Sequence, residues 1–309
     1  MQFVFNGIID GFAVALLGLS FAIVYVPTRV FHIALAGIYT ATSATVWLGV
    51  NSKWSQIFVS GSALLVAVVI SWLCSINHSF LERRKSTNGL RILQRKSINN
   101  LSANKPTKNA NSHMVASLAI YIILIAITTL GFGNETRLLD NSPSPVSYIG
   151  DVVLVWTQLL IAVISIVFLS GFYILLYKSG QGLKLRALAN NPKEFALAGF
   201  NIKLIYKAVF IVSGVMCGIV AILNTYDRGF SPHNGLNTVL IAVVATIVGG
   251  QNSFLGPVVG GLILGVLRTG AAWFINASWQ DASVFTVLAL FLVLRPQGII
   301  NQNSRLGSI

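Results

Sequence analysis

From residue 3 to residue 26 the chain reads FVFNGIIDGFAVALLGLSFAIVYV, with one charged side chain, Asp10, in the whole stretch. A helix crossing a hydrocarbon layer of about 30 Å needs about 20 predominantly apolar residues, because in lipid the backbone must satisfy its own hydrogen bonds. This stretch meets that demand. It lacks the basic leading segment and the small-x-small cleavage site of a secretory signal, so it reads as a retained helix. The same test carried along the chain predicts further spans at 31–50, 57–76, 114–132, 152–177, 204–223, 238–248, 258–274 and 282–294. The seventh is too short to cross unaided. The expected fold is all-α: a polytopic transmembrane bundle of about nine spans, eight or ten being also compatible, with discontinuous helices near the midplane in the second and seventh spans, forming one domain over residues 1–309.

The composition agrees. Hydrophobic residues make up 55% and charged residues 9%, with a mean hydropathy of +0.76, whereas soluble domains carry about 25% charged residues. Cys74 and Cys217 both fall in apolar spans, where a thiol behaves as a small hydrophobe, and they form neither a disulfide framework nor a metal site.

A net charge of +13 would point a soluble protein toward nucleic acid, but here the bases sit in two places. Arg83, Arg84, Lys85, Arg91, Arg95, Lys96, Lys105 and Lys108 lie in the segment 82–112; Lys178, Lys184, Arg186, Lys193, Lys203 and Lys207 lie in or beside 178–203. Both segments are expected on the cytoplasmic side. Loops of the other parity hold the acids Glu135, Asp140, Asp151, Asp227 and Asp281, so the N-terminus is expected outside and the tail with Arg295 and Arg305 inside. The 82–112 segment is rich in Asn and Ser and has almost no apolar periodicity, which predicts a loop with little packed structure. It serves either topology alone or contact with anionic lipid head groups.

Four separated stretches carry a resemblance. They are Asn6, Gly7, Gly11, Ala15, Leu16 and Tyr25 in the first span; RALANNPKEFALAGFN at 186–201; GGQNSFLGPVVGGLILG at 249–265; and LRPQGI at 294–299. In this order they resemble the permease family of branched-chain amino-acid ABC importers, which also includes urea and amide permeases. The resemblance implies a transport subunit of a bacterial or archaeal plasma (inner) membrane and three kinds of partner: a sister permease, two cytoplasmic ATPases and an extracytoplasmic solute-binding protein. Membrane lipid would surround it. The chain has no Gly-x-x-x-x-Gly-Lys-Ser/Thr loop to cradle ATP phosphates, so no cofactor of its own and no catalytic or metal site is expected.

In the resembling family a short helix of the 178–203 loop couples to the ATPase. The residues here suit one: Asn190 or Asn191 as N-cap, Pro192 in the first turn, Lys193 to Ala198 forming about two turns and Gly199 ending them. Glu194 complements the helix dipole, and Phe195 with Leu197 is expected to offer an apolar contact to the partner. Arg186, Asn191, Pro192, Lys193, Glu194, Phe195 and Gly199 are therefore the candidate coupling residues. An amphipathic loop lying on lipid is the alternative.

A path for a polar solute needs polar groups turned into the bundle. The stretch HIALAGIYTATSAT at 32–45 supplies candidates in His32, Tyr39, Thr40 and Ser43, with Pro27 and Gly37 allowing a locally unwound helix. The hydroxyls serve equally for helix packing, and His32 for an interfacial position. Asp10, Asn224 and Arg268 are the other polar groups in or beside spans; Arg268, where the family often has an acid, is expected to snorkel outward. The family departures at His32 and Leu35 leave the solute open between amino acids and urea or short amides. An ATPase-independent secondary transporter or channel is the alternative on hydropathy alone.

Overall fold

The computed structural model describes residues 2–96, 108–139, 146–149, 152–295 and 297–300. The middle of the basic segment with Lys105, the acids Asp140 and Asp151, and the tail with Arg305 lie outside the described residues. Four helices open the chain: α1 (Gln2–Thr28), α2 (Ala34–Asn51), α3 (Gln56–Lys96) and α4 (Lys108–Phe132). A two-stranded antiparallel hairpin follows, β1 (Val146–Ile149) and β2 (Val152–Val155), with Val146 opposite Val155. Then come α5 (Trp156–Lys178), α6 (Gly180–Asn190), α7 (Pro192–Leu197), α8 (Ile202–Arg228), α9 (Asn234–Gly249), α10 (Gly256–Phe274), a 3₁₀ turn (Ala277–Trp279) and α11 (Gln280–Leu294).

Among the described residues seven helices are long and apolar enough to cross a membrane: α1, α3, α4, α5, α8, α10 and α11. α2 carries too many hydroxyls to pass on hydropathy. α9 has 16 residues, about 24 Å at 1.5 Å per residue, short of a hydrocarbon core of about 30 Å. These two sit inside the bundle, where neighbouring protein rather than lipid is their solvent.

α1 is the hub. Every residue from Ala13 to Val24 is buried, as expected of a helix that is apolar all round. The periphery is the reverse, with Leu130 of α4 89% exposed and Val293 of α11 82% exposed. Rows of such side chains would be untenable in water and are the ordinary outer surface of a helical bundle in lipid.

Glycines set the tightest crossing. A Cβ at Gly7 would lie 2.7 Å from the Val266 Cα, one at Gly11 would lie 3.0 Å from the Leu262 Cα, and one at Gly265 would run into the Gly11 backbone. The descending partner numbers make α1 and α10 antiparallel. Small residues at four-residue spacing let two backbones approach closely, the main attractive device available where lipid removes the hydrophobic drive.

Three hydrogen bonds align α1 antiparallel with α8. The Tyr206 hydroxyl donates to the Pro27 carbonyl (3.4 Å), the Ser213 hydroxyl to the Ser20 carbonyl (2.7 Å), and the Arg228 guanidinium to the Asp10 carboxylate (2.7 Å). The start of α1, the end of α8 and the start of α9 thus share one end of the bundle, while α6 and α7 lie at the other.

Two of the motif stretches meet at that second end. The Ile299 and Ile300 amides donate to the Val248 and Gly249 carbonyls, both at 2.9 Å, satisfying carbonyls that the last turn of α9 leaves without intrahelical partners. Gly298, at φ 77°, lies where a Cβ would come within 2.6 Å of the Gly250 Cα, so only glycine fits. Tyr25 donates to the Gln251 side chain (3.3 Å) and Arg29 to Asn252 (2.7 Å), tying the same turn to the end of α1.

Four expectations are corrected. α2 and α9 are each continuous, with no unwinding at Gly37; that glycine gives room to α4, a Cβ there lying 3.3 Å from the Tyr121 Cα. The fifth span begins at Trp156, because Val152–Val155 pairs as a strand, suiting its β-branched residues. The seventh begins at Asn234 rather than at residue 238. The basic segment 82–112 is not a loop at its edges, since α3 continues to Lys96 and α4 starts at Lys108. Lys and Arg are good helix formers, and a preformed helix propagates into such a segment more readily than it nucleates there.

Candidate functional site

A cavity of about 300 Å³ opens at the end of the bundle opposite α7, between α1, α2, α8, α9, α10 and α11. Its floor is apolar, made by Val14, Leu17, Val220 and Ile241; its polar wall holds Asp10, Tyr39, Ser43, Asn224, Arg228, Asn237, Arg268 and Asp281. The charges come in pairs from different helices. Arg228 meets Asp10 at 2.7 Å, and Arg268 meets Asp281 at 3.1 Å. Asp227 flanks the first pair, 3.6 Å from the Arg228 Nε, and accepts a hydrogen bond from Thr157 (2.9 Å). Asn237 donates to the second Asp281 oxygen at 2.6 Å, and Asn224 donates to the Tyr39 hydroxyl at 3.1 Å.

The hydroxyl run of α2 divides by direction. Thr42 and Thr45 return their hydroxyls to carbonyls of their own helix, Ile38 at 2.7 Å and Thr42 at 2.7 Å. Thr40 does the same with Ala36 (2.8 Å), lies 3.4 Å from the Pro232 carbonyl and is fully buried, so it is a packing residue and not part of the cavity wall. Ser43 differs. It is 3% exposed, its oxygen has no hydrogen-bond partner among the described residues, and it lines the cavity.

Of the four path candidates, Tyr39 and Ser43 therefore share the cavity, while Thr40 and His32 do not. His32 lies at the other end, 3% exposed and edge-on to Phe210 with ring centroids 4.9 Å apart. It lines a small gap with Cys74, His78, His113 and Ser117, where His78 and His113 stack at 4.5 Å. It is thus buried in protein and outside the cavity. Among the described residues no group of three or more His, Cys, Asp or Glu could hold a metal ion.

Arg268 does not snorkel outward. Its side chain is 16% exposed and turned to Asp281, because a counter-charge on the neighbouring helix outweighs the short way to water. The sequence does not single out Arg228 or Asn237, and it shows Asp281 only as a loop acid. Opposite charges at the ends of α1, α8, α10 and α11 were the available signal, but pairing them needs the helix neighbours.

At the other end, residues 180–197 form two helices, α6 and α7, that meet at Asn191. The Asn191 side chain accepts from the Glu194 amide (3.4 Å) and its carbonyl from the Phe195 amide (3.1 Å), so this residue caps α7 with Pro192 at its first position. Gly199 ends the turn at φ 80°, its amide donating to the Ala196 carbonyl (3.0 Å). Arg186 lies 4.8 Å over the Tyr177 ring. The Lys193 side chain is outside what is described. Phe195 corrects the reading: it is 5% exposed and stacks on Phe200 at 4.9 Å, so it anchors α7 to its own chain. The other described side chains of the helix, Pro192, Glu194, Ala196 and Leu197, are all exposed, and Leu197, at 87%, is the large apolar one among them.

The family model for "Branched-chain amino acid transport system / permease component" matches residues 3–294. This chain belongs to that family. The branched-chain amino-acid permease LivH of Salmonella typhimurium is 21% identical over 319 residues, covering 98% of this chain and 96% of that one. The permease BraD of Pseudomonas aeruginosa is 29% identical over 168 residues, 54% of this chain and 55% of that one. The solved structure of PsaBC from Streptococcus pneumoniae in complex with Fab superposes with a TM-score of 0.50 at 13% identity, over 96% of this chain and 93% of that chain, a likeness of fold. The family's members are transport subunits rather than enzymes, and this one is a polytopic helical membrane protein.

Proposed function

We propose that this chain forms the translocation path of an ATP-driven importer for branched-chain amino acids in a bacterial or archaeal inner membrane. The observation that carries the reading is the division of labour between the ends of the bundle: a charged, solute-sized cavity at one and the capped helix α7, with Leu197 outward, at the other. On this reading the nine long helices α1 to α5 and α8 to α11 all lie across the membrane, the seven apolar ones unaided and α2 and α9 inside the bundle. The N-terminus and the cavity face outward; α7 faces the cytoplasm.

The half of the bundle between the cavity and the α7 end is closed. Phe21 is 2% exposed, stacks on Tyr25 (5.5 Å) and meets Phe31 edge-to-face (5.1 Å), in the same buried cluster as Leu35, Ile38 and Phe210. Solute delivered by a binding protein enters the cavity. Closure of two ATPases then moves α7, and α8, which follows it after the Gly199 turn with Asn201 as its N-cap, transmits the movement to the plug. A second permease subunit completes the path, and lipid covers α4, α5 and α11. ATP is hydrolysed by the partners, this chain having no phosphate-binding loop.

The test is uptake of labelled leucine into proteoliposomes containing this chain with its co-purifying subunits. Uptake must require the binding protein outside and ATP at the α7 face. Accumulation by this chain alone on an ion gradient, indifferent to nucleotide, would refute the reading.

A further inference from the structure

We infer that the Arg268–Asp281 pair is the cavity's solute clamp, taking its solute as a zwitterion by exchanging one ion pair for two. This rests on the proposed amino-acid transport and adds where and by what charge pattern the permease itself selects. The four charges on the cavity wall sum to zero, two Arg against two Asp, with Asp227 flanking the Asp10–Arg228 pair. The two pairs differ. Arg228 and Asp10 meet at 2.7 Å in a formed hydrogen bond. Arg268 and Asp281 meet at 3.1 Å without forming a hydrogen bond: the Arg268 Nε and Asp281 Oδ1 atoms are both buried with no hydrogen-bond partner among the described residues, while the other Asp281 oxygen takes Asn237 and that side chain is 39% exposed.

An under-satisfied guanidinium beside an under-satisfied carboxylate is the complement of an amino acid's head group. The α-carboxylate accepts from Arg268, and the α-ammonium donates to Asp281 Oδ1. Both protein charges stay matched, so parting the pair costs little. An anion or a cation of the same size would part the same pair and leave one charge unmatched in a partly desolvated site. A neutral amide such as urea would match neither. The volume, at the small end for ligand sites, suits one small solute, whose apolar side chain meets Val14, Leu17 and Ile241. Ser43, buried and unpartnered on the same cavity, is a second hydroxyl for the head group.

The experiment uses the purified permease–ATPase complex without its binding protein, so that selection by the binding protein is absent. Labelled leucine is bound and competed with unlabelled leucine, with 4-methylpentanoate, which lacks the ammonium, and with 3-methylbutylamine, which lacks the carboxylate. Leucine is expected to compete at least about tenfold better than either, the scale of a charge-assisted hydrogen bond. The double variant Arg268→Gln with Asp281→Asn keeps the shapes and neutral hydrogen-bonding groups; it is expected to bind leucine at least about tenfold more weakly and to lose the preference. If it does not assemble, Asn237→Ala carries the test by freeing Asp281 alone, with weaker leucine binding expected. Retained preference in the double variant, unchanged affinity in Asn237→Ala, equal competition by the three compounds, or no saturable binding at millimolar leucine would overturn the clamp. These results leave the proposed function standing if the complete system still imports leucine. Import of a different solute and not leucine by the complete system would overturn the proposed function itself.

Discussion

Replacing Gly7 by Ala adds one methyl group at the α1–α10 crossing, 2.7 Å from the Val266 Cα and 3.4 Å from the Gly265 carbonyl oxygen. Ordinary van der Waals contact begins at 3.4 Å, so the two backbones must part by about 0.7 Å, and backbone, unlike a flexible side-chain tip, cannot swing away. Overpacking of this kind costs about 1–3 kcal/mol, offset by about 0.5–1 kcal/mol from removing a helical glycine. Gly270→Ala on α10 is the control, since nothing lies within 4 Å of its added Cβ; only the favourable part applies there. Thermal unfolding of the detergent-solubilised protein should move down for Gly7→Ala and stay level or rise for Gly270→Ala, by about 2–4 °C per kcal/mol. Because α1 carries Asp10 and α10 carries Arg268, leucine uptake should also fall in the first variant and not in the second. Equal shifts in the two variants would show that this crossing is not held by close backbone approach, and the antiparallel register argued from Gly7, Gly11 and Gly265 would lose its energetic basis.

Other outcomes follow from the same geometry. Leu197→Glu should abolish ATPase association and uptake while leaving thermal stability unchanged, measured by co-purification and melting, because that side chain is almost fully exposed. Phe195→Ala should instead loosen the segment itself, at about 3–5 kcal/mol for a buried aromatic, and show first as protease cleavage between α6 and α8. Removing the cap with Asn191→Ala should cost about 1 kcal/mol and reduce coupled ATP hydrolysis without preventing insertion. In intact spheroplasts a cysteine at Ser278 should react with an impermeant thiol reagent, and one at Ala198 only after permeabilisation; the native Cys74 and Cys217 are buried and stay silent.

Much of α7 was legible before any coordinates. Asn191, Pro192 and Gly199 act through their own backbone preferences, and these are local, so the cap, the first turn and the stop fall where the residues predict. Phe195 was misjudged for the opposite reason. Which face of a two-turn helix turns inward depends on Phe200 and on the docking of α6 and α8, and no periodicity within six residues reports it. The hydroxyls of α2 repeat the lesson: Thr40 and Ser43 are equally polar in the sequence, but Thr40 finds a carbonyl and Ser43 a cavity.

The membrane class, the long apolar helices and the glycine spacing were determined by the sequence alone, because lipid imposes a length and an apolarity that each helix must meet by itself. The charged cavity was decided only by the tertiary structure. Asp10, Arg228, Arg268 and Asp281 stand on four helices, and what makes them two pairs is the antiparallel packing of α1 against α8 and of α10 against α11. Charge interaction falls with distance in space, whatever the separation along the chain.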